Sequence, residues 1–241
     1  MNKMTIMGLW FLSLLINSGC NRELIEYNTD DLKISIEKGE EWMHDFPLFL
    51  GINKKNPPQI AIWTEDTEGH YLSTIYVTHK IATQSWQASG GNRRKEALPH
   101  WCYQRGVQYE DGLYLPTKKS PFTDGISGAT PKGSFDVRIT STDKVKKFIV
   151  KAEINHSTDF NDAYPKSAKE GDVHYSGGKE GSGQPALVYV AEVDLTSNEK
   201  VFAAKLIGHS SPDGSNGDIT EDTSSLTTAL HIVKSKTIYI R

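Results

Sequence analysis

Leu32, Ile34 and Ile36 alternate with Lys33 and Ser35, and the same period of two returns at Phe135, Val137 and Ile139 and at Phe148, Val150, Ala152 and Ile154. A period of two sends successive side chains to opposite faces of a strand, so these runs predict half-buried β-strands. Residues 59–66 and 70–78 form two further β-rich runs, and Thr67-Glu68-Gly69 between them reads as a hairpin turn. Runs at 186–193, 201–207 and 237–240 complete the set. Such alternation suits antiparallel sheets with one face on a core and the other in solvent. The expectation is an all-β fold: an antiparallel β-sandwich with one short helix and long Gly-rich loops. The helix falls within 93–105, where Ala97, Leu98, Trp101 and Cys102 share one side and Pro99 is tolerable only near the start. The stretch 225–233 is ambiguous, since Leu226, Ala229, Leu230 and Val233 also fit a helical face.

The amino-terminal pattern is of another kind. Lys3 precedes an apolar run of 11 residues over 6–16, shorter than the roughly 20 residues a spanning helix needs. The run ends in Asn17-Ser18-Gly19-Cys20, which resembles the bacterial lipobox, although Asn17 stands where an aliphatic residue is usual. The resemblance implies that residues 1–19 are a lipoprotein signal peptide and that Cys20 becomes the lipid-modified amino terminus. Residues 20–30 would then be a polar tether and 31–241 a single β-sandwich domain. Such a chain is exported and lipid-anchored to a bacterial membrane, facing the periplasm or the cell surface.

Composition narrows the function classes. With 37% hydrophobic and 24% charged residues, the chain is far from a disordered composition. Lys and Arg number 27 against 30 Asp and Glu, a formal net charge of −3, so no basic surplus exists to neutralise a nucleic acid. Two cysteines make neither a disulfide framework nor a four-thiolate zinc site. With Cys20 assigned to lipid, Cys102 is left as a thiol among Trp101, Tyr103 and His100. A buried, inert thiol is the commoner outcome there, since a reactive one needs an exposed, electropositive setting.

The 20 glycines gather largely in four loops, at 89–92, 124–133, 176–183 and 208–217. One of them carries chemistry. Asp124-Gly125-Ile126-Ser127-Gly128-Ala129-Thr130 resembles the target motif of bacterial flavin transferases, Asp-x-x-Ser/Thr-Gly-Ala-Thr, with every fixed position filled. The resemblance implies covalent FMN on the Thr130 hydroxyl through a phosphoester, delivered from FAD by a separate magnesium-dependent flavin transferase. Small Gly128 and Ala129 would let the backbone enter another protein's active site, and Pro131 biases Thr130 toward an extended conformation. The chain departs from flavin-carrying subunits in continuing Pro131-Lys132-Gly133 where further hydroxyl residues are usual. The competing reading is a tight turn between strands, for which Asp-Gly and Ser-Gly are equally suited. Trp101, with Trp86 and Tyr103 beside it as options, is the candidate to stack on a flavin ring; a core aromatic is the alternative for each.

A wider resemblance, over about 34–240, is to the predicted periplasmic proteins called domain-of-unknown-function family 2271. It is carried by Gln59-Ile60-Ala61-Ile62-Trp63-Thr64-Glu65-Asp66, Gly69 and Ser73-Thr74-Ile75-Tyr76-Val77-Thr78. Leu98 with Trp101, the Ser-Gly-Ala-Thr-Pro segment, Glu153-Ile154-Asn155, Asp159-Phe160-Asn161, Gly208-His209 and Leu226-Thr227-Thr228-Ala229-Leu230 add to it. Members are thought to occur beside flavin transferases and membrane redox proteins, which implies an electron carrier serving membrane or soluble partners.

Other constellations are weaker. The oxygen-rich segments 153–162 and 213–218 have calcium-ligand chemistry without the helix-loop-helix spacing, and solvated turns fit them better. His156, Asp172, His174 and His209 have no metal-ligand spacing. No nucleophile elbow, phosphate-binding loop or zinc-protease motif is present, so no catalytic or metal residue is named. Two function classes emerge: a flavinylated carrier, or a cofactor-free cell-envelope binding or assembly module in which the Ser-Gly-Ala-Thr loop is only a turn. A hydrolase would need convergent acids, with Glu153 and Asp159 as the ones to test.

Overall fold

A computed structural model describes residues 23–25, 31–47, 52–86, 93–140 and 145–234. The segment 1–19 read as a signal peptide, Cys20 and the run at 237–240 lie outside the described residues. In chain order the strands are β1 (Glu23–Ile25), β2 (Asp31–Ile36), β3 (His44–Pro47), β4 (Asn53–Asn56), β5 (Gln59–Glu65), β6 (Tyr71–Thr78), β7 (Ile126–Gly128), β8 (Phe135–Thr140), β9 (Lys147–Asn155), β10 (Leu187–Asp194), β11 (Lys205–Ser210) and β12 (Ile219–Thr220). Two short helices, α1 (His79–Thr83) and α2 (Pro99–Gln104), lie between β6 and β7. The fold is all-β, as the period-two runs predict. No helix among the described residues is long and apolar enough to cross a membrane.

The strands form a seven-stranded sheet in the order β12-β11-β10-β9-β5-β6-β7, a three-stranded sheet β1-β8-β2 and the hairpin β3-β4. The expected hairpin at 66–70 is present: Asp66 Oδ1 accepts the backbone N–H groups of Glu68 and His70, both at 2.9 Å, and Gly69 takes the left-handed φ of 87°. Three residues within the stretch read as a tether, Glu23–Ile25, run parallel to β8 as an edge strand.

The large sheet is covered on both faces, and here the one-faced expectation fails. Ile60 and Ile62 of β5, with Val150, Ala152 and Ile154 of β9, share a core with Ile34, Ile36, Phe135 and Val137 of the small sheet. Ala61 and Trp63, the alternate positions of β5, join a second core with Ile81, Leu98, Trp101, Leu115 and Phe122 from the long connection between β6 and β7. Every residue of β5 is therefore buried. A β-bulge sets the direction of Tyr76. Ile62 pairs with Tyr76 but Trp63 pairs with Thr74, leaving Ile75 as the extra residue, so Ile75 and Tyr76 both face the first core. Without it, alternation would turn Tyr76 to the opposite face.

The helix expected over 93–105 is confined to Pro99–Gln104. Proline lacks the N–H that would bond back into an upstream turn and clashes with it, so Pro99 starts the helix and residues 93–98 adopt turns. The ambiguous 225–233 stretch yields one 3-10 turn, Thr228–His231. The run at 201–207 pairs only from Lys205 and extends to Ser210. Gly208 permits that extension: a Cβ there would stand 2.2 Å from the Thr220 carbonyl oxygen of β12.

Candidate functional site

The Asp124–Thr130 segment lies at the free edge of the large sheet. Ile126, Ser127 and Gly128 pair in parallel with Tyr76, Val77 and Thr78, so Ser-Gly leads out of an extended edge strand and is no tight turn. Asp124, Ser127 and Ala129 are exposed, and Gly128 and Thr130 are half-buried. The carbonyls on either side of Thr130 are both held from the core. The Tyr76 hydroxyl donates to the Ala129 oxygen and the Trp42 indole N–H to the Pro131 oxygen, each at 3.1 Å. Among the described residues the Thr130 hydroxyl itself has no hydrogen-bond partner.

The two glycines of the motif are unlike. A Cβ on Gly125 would lie 2.6 Å from the Thr74 carbonyl oxygen, so the fold itself demands glycine there. A Cβ on Gly128 would meet nothing closer than Tyr76 Cε2 at 3.6 Å, an ordinary contact, so the packing of this chain does not require its small size.

Trp101 is placed elsewhere than its stacking role requires. It has no exposed surface, its indole N–H donates to Thr74 Oγ1 at 2.8 Å, Phe122 meets its ring edge-on and Arg105 covers it at 4.8 Å. No ring face is open, so Trp101 is a core aromatic. Trp86 is buried likewise, with Arg94 over its face at 4.8 Å, and Tyr103 packs on Tyr114 with ring centroids 4.5 Å apart. Cys102 is a buried free thiol whose pKa burial pushes up.

The covered second face of the sheet holds a polar network that the residue pattern assigns to solvent. Lys151 Nζ approaches Glu65 Oε2 at 3.0 Å and His100 Nε2 at 3.3 Å. His100 Nδ1 sits 2.7 Å from the Gly217 carbonyl. A carbonyl only accepts, so the ring proton is on Nδ1 and Nε2 is left to accept from Lys151, which fits a neutral ring. Burial indeed pushes His100 down to about 4. Glu153 accepts the backbone N–H groups of His100 at 3.2 Å and Trp101 at 2.8 Å, and burial outweighs these bonds to push its carboxyl up to about 7. Glu153 has no exposure at all, so it offers nothing to a substrate.

Further along, Arg94 donates to Glu96, Ser157 and Ser182, and Asn155 Oδ1 accepts from Ser182 at 2.7 Å. Asp159 is buried with its carboxyl raised by burial; Thr228 Oγ1 donates to it at 2.5 Å and His44 Nδ1 stands 4.0 Å away. Its neighbour Thr158 has φ of 61°, unusual for a β-branched residue.

The oxygen-rich loops are occupied with their own turns. Asn161 Oδ1 accepts the Tyr164 N–H at 2.8 Å, and Asp213 Oδ1 accepts from Ser211 and the Ser215 N–H at 2.8 and 3.0 Å. His174 packs on Tyr164, Asp172 caps the Lys169 N–H, and His209 bonds the Ser210 carbonyl, so these residues are not brought together with His156. Among the described residues no three His, Cys, Asp or Glu side chains are grouped to hold a metal ion.

The residue pattern does not single out Trp42 or Tyr76, whose polar tips flank Thr130; both look like core aromatics. Comparison with protein-family models, characterised proteins and solved structures yields no match to this chain.

Proposed function

We propose that this chain is an exported protein, lipid-anchored through Cys20, that accepts covalent FMN on Thr130 and passes electrons to a membrane or soluble redox partner. The reading rests on the motif resemblance, and the observation that carries it is the contrast at Gly128. The residue has room for a Cβ within this fold, 3.6 Å from the nearest atom, yet is glycine, as an outside active site closing on the segment would require. The acceptor fits as well: Thr130 is half-buried beside exposed Ala129, and its hydroxyl is not engaged by a described residue.

In the transfer, Thr130 Oγ attacks the flavin-side phosphorus of FAD. The Oγ–P bond forms as the pyrophosphate P–O bond breaks, AMP leaves, and the hydroxyl proton passes to the transferase. A threonine hydroxyl is a weak nucleophile alone, so the transferase supplies the base, the magnesium and the in-line positioning, and Thr130 is an acceptor and not a catalyst. Bound FMN would supply one- or two-electron transfer.

Co-expression with a flavin transferase, in-gel fluorescence and the mass of the Thr130 peptide test the reading. The expected result is a fluorescent band that Thr130→Ala abolishes. An unmodified Thr130 peptide beside a modified control protein would overturn it. The cofactor-free envelope module is favoured by one observation: Trp101 and Trp86 are both buried, so neither offers a face to a flavin ring. Flavin fluorescence of the native lipoprotein separates the two.

A further inference from the structure

We infer that Tyr76 and Trp42 are positioning residues which hold Thr130 in a preformed loop, so that a modifying enzyme meets a folded segment and not a flexible peptide. The inference deepens the flavin reading and rests on it for the identity of the enzyme. Its geometry stands separately. Both rings are buried in the first core, and their polar tips land on the two carbonyls that flank Thr130. Phe135 joins them from below, its ring centroid 5.6 Å from that of Tyr76 and 6.3 Å from that of Trp42. The three aromatics thus form a rigid floor with two hydrogen-bonding posts.

The sequence features around this floor act in the same direction. The bulge at Ile75 turns Tyr76 to the side on which the loop leaves the sheet. Pairing of Tyr76, Val77 and Thr78 with 126–128 fixes the approach, and Pro131 restricts the exit. Backbone on both sides of Thr130 is tied down while, among the described residues, its hydroxyl has no partner. A buried phenol and indole need partners in any case. What points to positioning is that both partners adjoin the same residue.

A loop that samples other conformations presents its competent form for a fraction of the time, and apparent affinity falls by that fraction. Loss of one hydrogen bond therefore moves KM and leaves the chemical step alone. The test uses the full chain, a purified flavin transferase, magnesium and FAD, with initial rates followed against acceptor concentration. Tyr76→Phe keeps the ring and removes the post. It is expected to raise the acceptor KM about three- to tenfold with kcat unchanged, and to speed amide exchange at Ala129 and Thr130. Tyr189→Phe is the control, since it removes the hydroxyl of another largely buried tyrosine of the same core, one with no hydrogen bond to the loop; it is expected to change neither. If the wild type is modified and Tyr76→Phe matches Tyr189→Phe in both readouts, the inference is overturned. If the wild type is not modified while a control substrate is, the flavin reading falls and exchange decides alone. Faster exchange in Tyr76→Phe only would uphold the fixed loop; equal exchange in all three chains would overturn it.

Discussion

Lys151 Nζ stands 3.0 Å from Glu65 Oε2 across a sheet face where Glu65 has no exposed side-chain surface and Lys151 only 14%. The approach is an ion pair, and the other carboxylate oxygen accepts the Trp63 indole N–H at 2.7 Å. A pair so enclosed is costly to break from one side, because the charge left behind has no water. Lys151→Met is expected to destabilise the fold by about 3–5 kcal/mol in denaturant unfolding. Adding Glu65→Gln, whose amide oxygen still accepts from Trp63, is expected to recover most of that. A loss under about 1 kcal/mol for the single variant would place the pair in solvent instead.

Glu153 sets a pH dependence of opposite sign to that of the buried histidines. With its folded value pushed up to about 7 by burial, against 4.5 ordinarily, the folded chain keeps a proton that the unfolded chain has released. Its contribution to stability is present at low pH and is lost as pH rises toward 7. Burial pushes His100 and His156 down to about 4, so their contribution is lost as pH falls through 6.5 toward that value. Glu153→Gln is expected to match the wild type near pH 4.5 and to exceed it at pH 8, by on the order of 3 kcal/mol at most. An offset that does not vary with pH would show that Glu153 does not titrate as described.

The two motif glycines give a paired test. Gly125→Ala must displace backbone, since its Cβ would stand 2.6 Å from the Thr74 oxygen, and is expected to cost about 1–3 kcal/mol. Gly128→Ala is expected to stay within about 1 kcal/mol of the wild type in thermal unfolding while its flavin incorporation drops sharply. Full incorporation into Gly128→Ala would show that the modifying enzyme tolerates a side chain there.

Cys102 is expected to resist maleimide at pH 8 in the native chain and to react at once in denaturant, because burial raises its pKa and closes access. Its slow native labelling should track unfolding free energy across the variants above. Rapid stoichiometric labelling of native protein would make Cys102 a redox candidate again.

Much of this architecture can be read locally: alternation marks the strands at 32–36, 135–140 and 147–155, and β-rich composition marks those at 59–65, 71–78 and 187–194. What alternation cannot say is which residues will cover the second face. Lys151 and Glu153 look like the wet side of an amphipathic strand. They are enclosed because the connection between β6 and β7 lays α2 over them, bringing His100 and the Trp101 N–H. Trp42 and Tyr76 are equally opaque: Tyr76 is turned by a bulge that no local pattern marks, and Trp42 finds its acceptor on Pro131, far along the chain. The Ser-Gly-Ala-Thr segment stands out by its motif, but the half-burial of Thr130 and the pairing of the segment with a strand some fifty positions earlier do not.

That pairing is parallel, and parallel neighbours cannot be joined by a tight turn. The connection between Thr78 and Ile126 must close first, and contacts across so long a separation are slow to form. The loop that carries Thr130 thus takes its held form only where the Tyr76 and Trp42 hydrogen bonds and the β6–β7 pairing are in place. If the chain is exported and flavinylated as proposed, an enzyme that takes Thr130 in that form would inspect folding, loading cofactor onto completed molecules and passing over the rest.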